Sequence, residues 1–182
     1  MDGGSEDDTV ALAERQGARV LRVEPPQRAR QMNAGGRAAR GDVLVFLHAD
    51  TVFQPGAIDA LRQLASESPL VGGGFRRRYA SPSLVLAASC RLGNLRASQL
   101  GWFFGDQAIW ASREAFERVG GFPEVARFED LDFTRRLRRL GPTALVVPGV
   151  VTSARRFGSR VLPRVLADSL LTVRHVCMRT SC

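Results

Sequence analysis

Lysine is absent from this chain. All 26 basic side chains are arginine, and with 18 carboxylates they leave a net charge of +8. Such complete replacement reflects GC-rich coding more than a functional demand, so the charge alone defines no partner. An arginine-rich nucleic-acid binder stays open as an alternative, although no nucleic acid is expected. Arginine does pair with phosphate through a planar fork of two parallel hydrogen bonds. Cysteine is scarce: Cys90, Cys177 and Cys182 are odd in number and fit no CxxC spacing. That argues against a disulfide framework or a zinc site and fits a reducing compartment. No uninterrupted apolar run approaches the ~20 residues of a membrane span, and the start shows no secretory-leader pattern. A cytoplasmic location is the expectation. No linker or internal repeat divides the 182 residues, whose 45% hydrophobic and 24% charged content suits one globular domain with a sizeable core.

What is present is an alternation of apolar runs and helical patterns. Met1 to Ser5 reads as the end of a strand and a turn, with no strand before it. Thr9 to Gln16 predicts a short helix stopped by Gly17, and Ala18 to Val23 a strand broken by Pro25-Pro26. Arg28 to Arg40 predicts a helix. Asp42 to Leu47 is nearly all apolar, the mark of a strand buried on both faces of a parallel sheet. Pro55 is placed as the first residue of a helix running to about Ser66. Val71 to Tyr79 predicts a strand, Pro82 to Leu100 a helix and Asp106 to Ala111 another strand. Ser112 caps a helix over Arg113 to Val119, and Glu129 to Leu140 forms a longer one. Thr143 to Val147 and Val150 to Thr152 predict two short strands, and Val161 to Val176 an amphipathic helix. This order argues for an α/β fold with a mostly parallel sheet flanked by helices.

Two acidic signatures carry the chemistry. His48-Ala49-Asp50-Thr51 follows the apolar strand, and ligands of open α/β sheets bind at strand carboxyl ends. An Asp and a His there suit Mg²⁺ or Mn²⁺ with diphosphate oxygens completing the shell; shaping the turn before Pro55 is the plainer alternative. Glu129-Asp130 opens the second. On a wheel of about 100° per residue, Phe133, Leu137 and Leu140 define an apolar face that Glu129 and Asp130 flank. Asp132, Arg135, Arg138 and Arg139 fall opposite, with Asp132 and Arg136 as an exposed pair. A carboxylate overlooking a cleft can serve as a general base; favourable interaction with the helix dipole is the structural alternative. Asp2-Gly3-Gly4-Ser5 suits a nucleotide-contacting turn. Arg28 to Asn33 and Arg155-Arg156 are candidate diphosphate contacts, with a solvated basic face as the alternative. Asp106 and Gln107 abut an apolar run beside Trp102, Phe103 and Phe104, while Arg76-Arg77-Arg78 must turn at least one member inward. In the last helix, valines and leucines oppose Arg160, Arg164 and Arg174. That pattern suits docking on the core or lying in a membrane interface.

Taken in order, these segments resemble the family 2 glycosyltransferases of the GT-A fold, from Asp2 to about Val176. Asp2 to Thr9 resembles the nucleotide-binding turn, Arg30 to Gly35 and Gly41 to Thr51 the central block ending in the metal-binding DxD. Gly105-Asp106-Gln107, Gly120-Gly121-Phe122 and Glu129-Asp130 resemble the acceptor half. Ser153 to Phe157 resembles the segment after the last strands. Within the family the chain looks most like a bacterial branch labelled radical-SAM/selenodomain-associated transferases. The resemblance implies an inverting enzyme with a nucleotide-diphosphate sugar as donor and an acceptor of unknown identity. Asp2, Gly3, Ser5, Arg30, Asn33, Arg155 and Arg156 would hold the donor, and Asp50 with His48 would hold Mg²⁺ or Mn²⁺. Asp106 and Gln107 would face the acceptor, and Asp130, beside Glu129, would be the base. It divides the chain into a nucleotide and metal half over 1–51, an acceptor half over 52–157 and an amphipathic helix over 158–182. Two departures stand out. His48 replaces the first Asp of DxD, and the strand, helix and partial strand that relatives carry before the Asp2 motif are missing. Self-association or marginal stability is therefore expected, with peripheral membrane contact through the last helix as a further option. A catalytically impaired binding or assembly module is the alternative from another class.

Overall fold

The computed structural model describes residues 1–158 and 160–180, so Cys182 lies outside the described residues. In chain order the elements are α1 (Thr9–Arg15), α2 (Arg28–Ala38), β1 (Val43–Phe46), β2 (Thr51–Phe53), α3 (Ala57–Glu67), β3 (Gly72–Ala80), α4 (Leu84–Leu100), β4 (Ile109–Ser112), α5 (Arg113–Arg118), α6 (Glu129–Leu140), β5 (Thr143–Ser153) and α7 (Val161–Thr180). Local chemistry sets several boundaries. The hydroxyls of Ser83 and Ser112 accept from the backbone N–H groups of Leu86 and Ala115, capping α4 and α5. Gly56 takes the left-handed conformation at the entry to α3, so Pro55 sits in the preceding turn rather than inside the helix. The pattern over Glu129–Leu140 forms the helix it predicts.

The expected α/β arrangement of a sheet with flanking helices is present, with strand order β1-β4-β3-β5-β2. The pairing sense departs from expectation. β3 and β5 run parallel, but β1–β4, β2–β5 and β3–β4 are antiparallel. Apolar content reports cover by helices, not strand direction, which is why the sequence pattern misleads here. β1 lies at one end of the sheet, with Val43 and the following Leu47 exposed. Three other expectations are corrected. Ala18–Val23 contributes only a parallel bridge between Arg22 and Asp2. The run Asp106–Ala111 divides into a 3-10 turn, Gly105–Gln107, and β4, because Ala108 takes a left-handed conformation with φ 46° between them. The two last strands are one, β5, whose ladder to β3 shifts register between Phe75 and Arg77, opposite the segment holding Pro148. Proline has no N–H to give the ladder, so the pairing slips there without ending.

Alternate residues face opposite sides of the sheet. On one side Leu44, Ile109 and Ala111 meet α2, α5 and α6 through a cluster that includes Phe116, Phe122 and Phe133. Phe122 and Phe133 stack with centroids 4.0 Å apart, and Phe46 meets Phe122 edge-on at 4.8 Å. On the other side Phe75, Trp110 and Val146 pack with Ala57 and Leu61 of α3. A third cluster of Tyr79, Leu86, Cys90 and Phe157 receives Val161 and Val165 of α7. The α7 wheel is thus split. Val161 and Val165 dock, while Leu162, Leu166, Leu170 and Val173 remain exposed. No helix among the described residues is long and apolar enough to cross a membrane.

Asp132 is not the exposed partner of Arg136. It is only 4% exposed, and His175 Nε2 of α7 lies 3.1 Å from its Oδ1. The His175 ring also stacks on Phe128, with centroids 4.5 Å apart. A wheel drawn for α6 alone cannot show that α7 brings His175 against Asp132.

The sheet centre depends on glycine. A Cβ on Gly72 would meet the Trp110 carbonyl oxygen at 2.6 Å, and one on Gly73 would overlap the Ala144 carbonyl. Both obstacles are backbone and cannot rotate away. Gly73→Ala is expected to destabilise the fold by at least about 1–3 kcal/mol, read as a lowered midpoint in urea; an unchanged midpoint would mean that β3 and β5 do not approach this closely.

Candidate active site

The Asp2 turn is built by its own carboxylate. Asp2 Oδ2 accepts from the Gly4 N–H at 2.9 Å, and Oδ1 accepts from the Ser5 hydroxyl at 2.6 Å. Arg22 Nε lies 3.5 Å away. The Ser5 hydroxyl first, then the Gly4 amide, hold the Asp2 carboxyl down to about 2. An open groove of about 620 Å³ lies beside this turn, lined by Gly3, Gly4, Glu24, Pro25 and Pro26. Asp2 and Ser5 thus shape the turn with their side chains, and the glycines present its backbone to the groove.

At the carboxyl end of β1 the chain brings both acidic signatures to one place. A Cβ on Gly105 would overlap the His48 ring and come within 3.0 Å of Arg28 Nη2, so both side chains lie against bare backbone. Arg28 Nη2 is 2.9 Å from His48 Nε2, and Arg28 Nε is 3.3 Å from Glu129 Oε1. The second contact is an ion pair not aligned as a hydrogen bond, and Glu129 Oε1 is buried without a hydrogen-bond partner. Asp130 closes the cluster. Its Oδ2 accepts from the Gly105 N–H at 2.8 Å and its Oδ1 from the Leu131 N–H at 2.7 Å. Burial, then the Arg28 cation, lower the His48 value, which keeps the ring neutral at physiological pH. Burial raises Asp130, and burial with the adjacent Asp130 charge raises Glu129. Asp50 is exposed, accepts from the Thr51 hydroxyl at 3.3 Å, and its backbone carbonyl accepts from the Ser153 N–H at 2.9 Å. Among the described residues no three His, Cys, Asp or Glu side chains converge as a ready metal cage.

Asp106 and Gln107, expected to face the acceptor, both turn inward. Asp106 Oδ2 pairs with Arg77 Nη1 and accepts from the Tyr79 hydroxyl at 2.9 Å. Burial works against the Asp106 charge, but Arg77 overrides it and holds the carboxyl below the ordinary range. Gln107, 1% exposed, uses its Oε1 to accept from Arg96 at 3.2 Å and from the Phe104 N–H at 3.3 Å. Arg77 is the inward member of the arginine triplet, 8% exposed, and Asn94 brackets its backbone with hydrogen bonds of 3.0 Å in both directions. Arg77, Arg96, Tyr79 and Asn94 went unassigned by the sequence. Only the alternation of β3 pointed to Arg77; nothing in the spacing of α4 marks Arg96.

The remaining candidates scatter. Asn33 is engaged within the fold: its amide donates to the Phe122 carbonyl at 2.9 Å and accepts from the Phe122 N–H at 2.7 Å, tying α2 to the glycine turn. Arg30 pairs with Glu124 at 2.7 Å. Arg156 reaches the Tyr79 hydroxyl at 3.3 Å and Asp168 at 3.5 Å, and Arg155 is exposed at the head of a 3-10 turn. Arg28, one of a run of candidates, is the arginine that reaches His48 and Glu129.

The architecture is that of a GT-A-like nucleotide-sugar transferase domain. The chain belongs to Glycosyl transferase family 2, whose sequence model matches residues 1–156. It is 28% identical over 198 aligned positions to the uncharacterized protein MT1568 of Mycobacterium tuberculosis (strain CDC 1551 / Oshkosh), a match covering 92% of this chain and 60% of that protein. A mycobacterial protein of known crystal structure superposes with a TM-score of 0.54 at 23% identity, over 84% of this chain and 53% of the other. The crystal structure of glucosyl-3-phosphoglycerate synthase from Mycobacterium tuberculosis in complex with phosphoglyceric acid gives a TM-score of 0.46 at 20% identity, over 84% and 57%. The chain therefore spans about half to three-fifths of the length of these relatives.

The raised Asp130 value has a measurable sign. The folded state holds this proton more tightly than the unfolded chain. Native stability is therefore lost as pH rises from the ordinary carboxylate value to the folded one, and the loss persists above it. Asp130→Asn removes that titration. The melting temperature of Asp130→Asn minus that of the wild type should be more positive at pH 7 than at pH 4. A difference that shrinks on going to pH 7 would mean the carboxylate is stabilised, not strained, by its surroundings.

Proposed function

We propose that the chain is the core of an inverting glycosyltransferase that moves a sugar from a nucleotide-diphosphate donor to an acceptor hydroxyl. The observation that carries this reading is that His48, Arg28 and Asp130 meet at the Gly105 backbone and Glu129 pairs with Arg28, near the carboxyl end of β1. The Asp2 turn and its groove would take the nucleoside, with the Gly3 and Gly4 backbone as the contacting surface. Arg28, exposed yet held beside His48 and Glu129, would face the diphosphate; Arg155 and Arg156 are further candidates for the same charge.

Asp130 would take the proton of the acceptor hydroxyl. As the acceptor oxygen bonds to the anomeric carbon from the opposite side, the bond from that carbon to the diphosphate breaks and its electron pair leaves with the nucleoside diphosphate. The carboxylate is suited to the task in two ways. Two backbone N–H groups fix its plane while each oxygen keeps a lone pair, and burial moves it toward the pH at which a base must act. Glu129 is the competing base, since its Oε1 has no hydrogen-bond partner.

The donor set fits a divalent cation through Asp50 more readily than through His48. Asp50 is an exposed carboxylate, whereas His48 Nε2 already faces the Arg28 guanidinium. Mg²⁺ commonly uses one or two carboxylates plus substrate phosphates, so Asp50 would hold Mg²⁺ or Mn²⁺, which when bound would neutralise charge on the departing diphosphate.

Asp130→Asn is expected to lower the turnover of sugar transfer by about 10²–10⁴-fold while leaving donor binding intact. Asp50→Ala should abolish the Mn²⁺-dependent rise in melting temperature that nucleoside diphosphates produce. If Asp130→Asn transfers near the wild-type rate and Glu129→Gln does not, the base is Glu129. If both remain active, neither carboxylate takes the proton and this mechanism is wrong.

A further inference from the structure

Arg96 differs from the other arginines around the cleft. Its Nε donates to the Trp102 carbonyl at 3.2 Å, its Nη2 donates to Gln107 Oε1 at 3.2 Å, and its guanidinium lies 4.2 Å from the centroid of the Phe104 ring. All three partners are neutral. Arg77 has Asp106 and Arg28 has Glu129, but no carboxylate among the described residues forms an ion pair with Arg96. Another cation lies close by: a Cβ on Gly93 would lie 2.9 Å from Arg77 Nη2 and 3.9 Å from Arg96 Nη2. One carboxylate, Asp106, serves this pair, and its Oδ1 is buried without a hydrogen-bond partner, as is Arg77 Nε. Burial, then Arg77, push the Arg96 guanidinium down to about 10, which leaves it charged at neutral pH.

A half-buried guanidinium that feels Asp106 and Asp130 only at a distance, with no ion pair of its own, is under-compensated. It is retained where something else brings the negative charge. Arg96 and Asp130 also hold the same short turn, Asp130 at Gly105 and Arg96 at Gln107. A group bound at Arg96 therefore lies beside the carboxylate assigned as base.

We propose that Arg96 is the anion-recognising residue of the acceptor subsite, and that the acceptor carries an oxyanion, a carboxylate or a phosphate, next to the hydroxyl that receives the sugar. Asp106 and Gln107 then position the two arginines and do not touch the acceptor. The inference rests on the glycosyltransferase reading, but the anion site itself can be measured without turnover.

The probes are inorganic phosphate and acetate, titrated into the full chain at constant ionic strength, with melting temperature as the readout. One of them should give a saturable rise, and which one does so distinguishes phosphate from carboxylate. Arg96→Gln and Arg96→Met, the latter keeping an unbranched stem on Phe104, should weaken that apparent affinity by about tenfold or more, the loss of a charge-assisted fork. Arg91→Gln, an exposed change on the same helix, should leave it unaltered. On the wild type alone, the rise should add to that produced by a nucleoside diphosphate with Mg²⁺. Competition between the two would place the anion in the diphosphate site and overturn the proposal, as would equal affinity in the Arg96 variants or absence of saturation with both probes. If nucleoside diphosphates have no effect while Arg96-dependent anion binding persists, the glycosyltransferase reading fails and the anion site stands.

Discussion

The site is organised around the carboxylate of Asp130 and the two backbone N–H groups it accepts. One bond fixes the side chain against its own helix; the other reaches Gly105, twenty-five residues earlier, and pins the turn between α4 and β4. From that turn the arrangement spreads in both directions. Gly105, having no side chain, leaves room for His48 and Arg28. Gln107 holds Arg96, and the Asp106 carbonyl accepts from the Thr152 hydroxyl at 3.1 Å, which itself lies 3.1 Å from the Thr51 hydroxyl. A single buried carboxylate thus connects the strand end bearing Asp50 with the helix bearing the acidic pair. Its raised affinity for a proton is the energetic counterpart of that central position.

Much of this layout is legible before any coordinates. The helix over Glu129–Leu140, the serine cap at Ser112 and the strand ahead of His48 follow from local rules of capping and periodicity, which depend on neighbours close in sequence. The acidic pair of α6 is identifiable because it flanks an apolar stripe. What escapes is whatever depends on an element distant in sequence. Asp132 looks solvated on its own helix but is buried, with His175 of α7 against it. Asn33 looks like a free polar side chain and is in fact bound to the backbone of Phe122. Strand direction is equally non-local: apolar runs in β1 and β4 show that both are covered, and say nothing of which way they run.

The arginines illustrate why composition alone is a poor guide. A net charge of +8 without lysine invites a nucleic-acid interpretation, yet the structure sorts these side chains into distinct fates. Arg30, Arg62 and Arg118 form ion pairs in which both partners keep much of their surface in water, where such pairs contribute little. Arg77 is sealed against Asp106. Arg28 reaches across to Glu129 and His48, and Arg96 is held by neutral groups alone. Only burial and partner identity separate these roles, and neither is encoded in the count.

The pairing of β2 with β5 has a consequence for how the protein is made. Thr51 and Thr152 meet across 101 residues of chain, and the parallel register of β3 with β5 also waits for the segment beginning at Thr143. Long-range contacts of this kind close late, since the entropy of the intervening loop must be surrendered first. During synthesis β1, β4 and β3 can pair early, but the strand end carrying Asp50 acquires its fixed neighbours only after β5 has emerged. The Asp50 side of the site is thus completed late, after the acidic pair of α6 has already emerged.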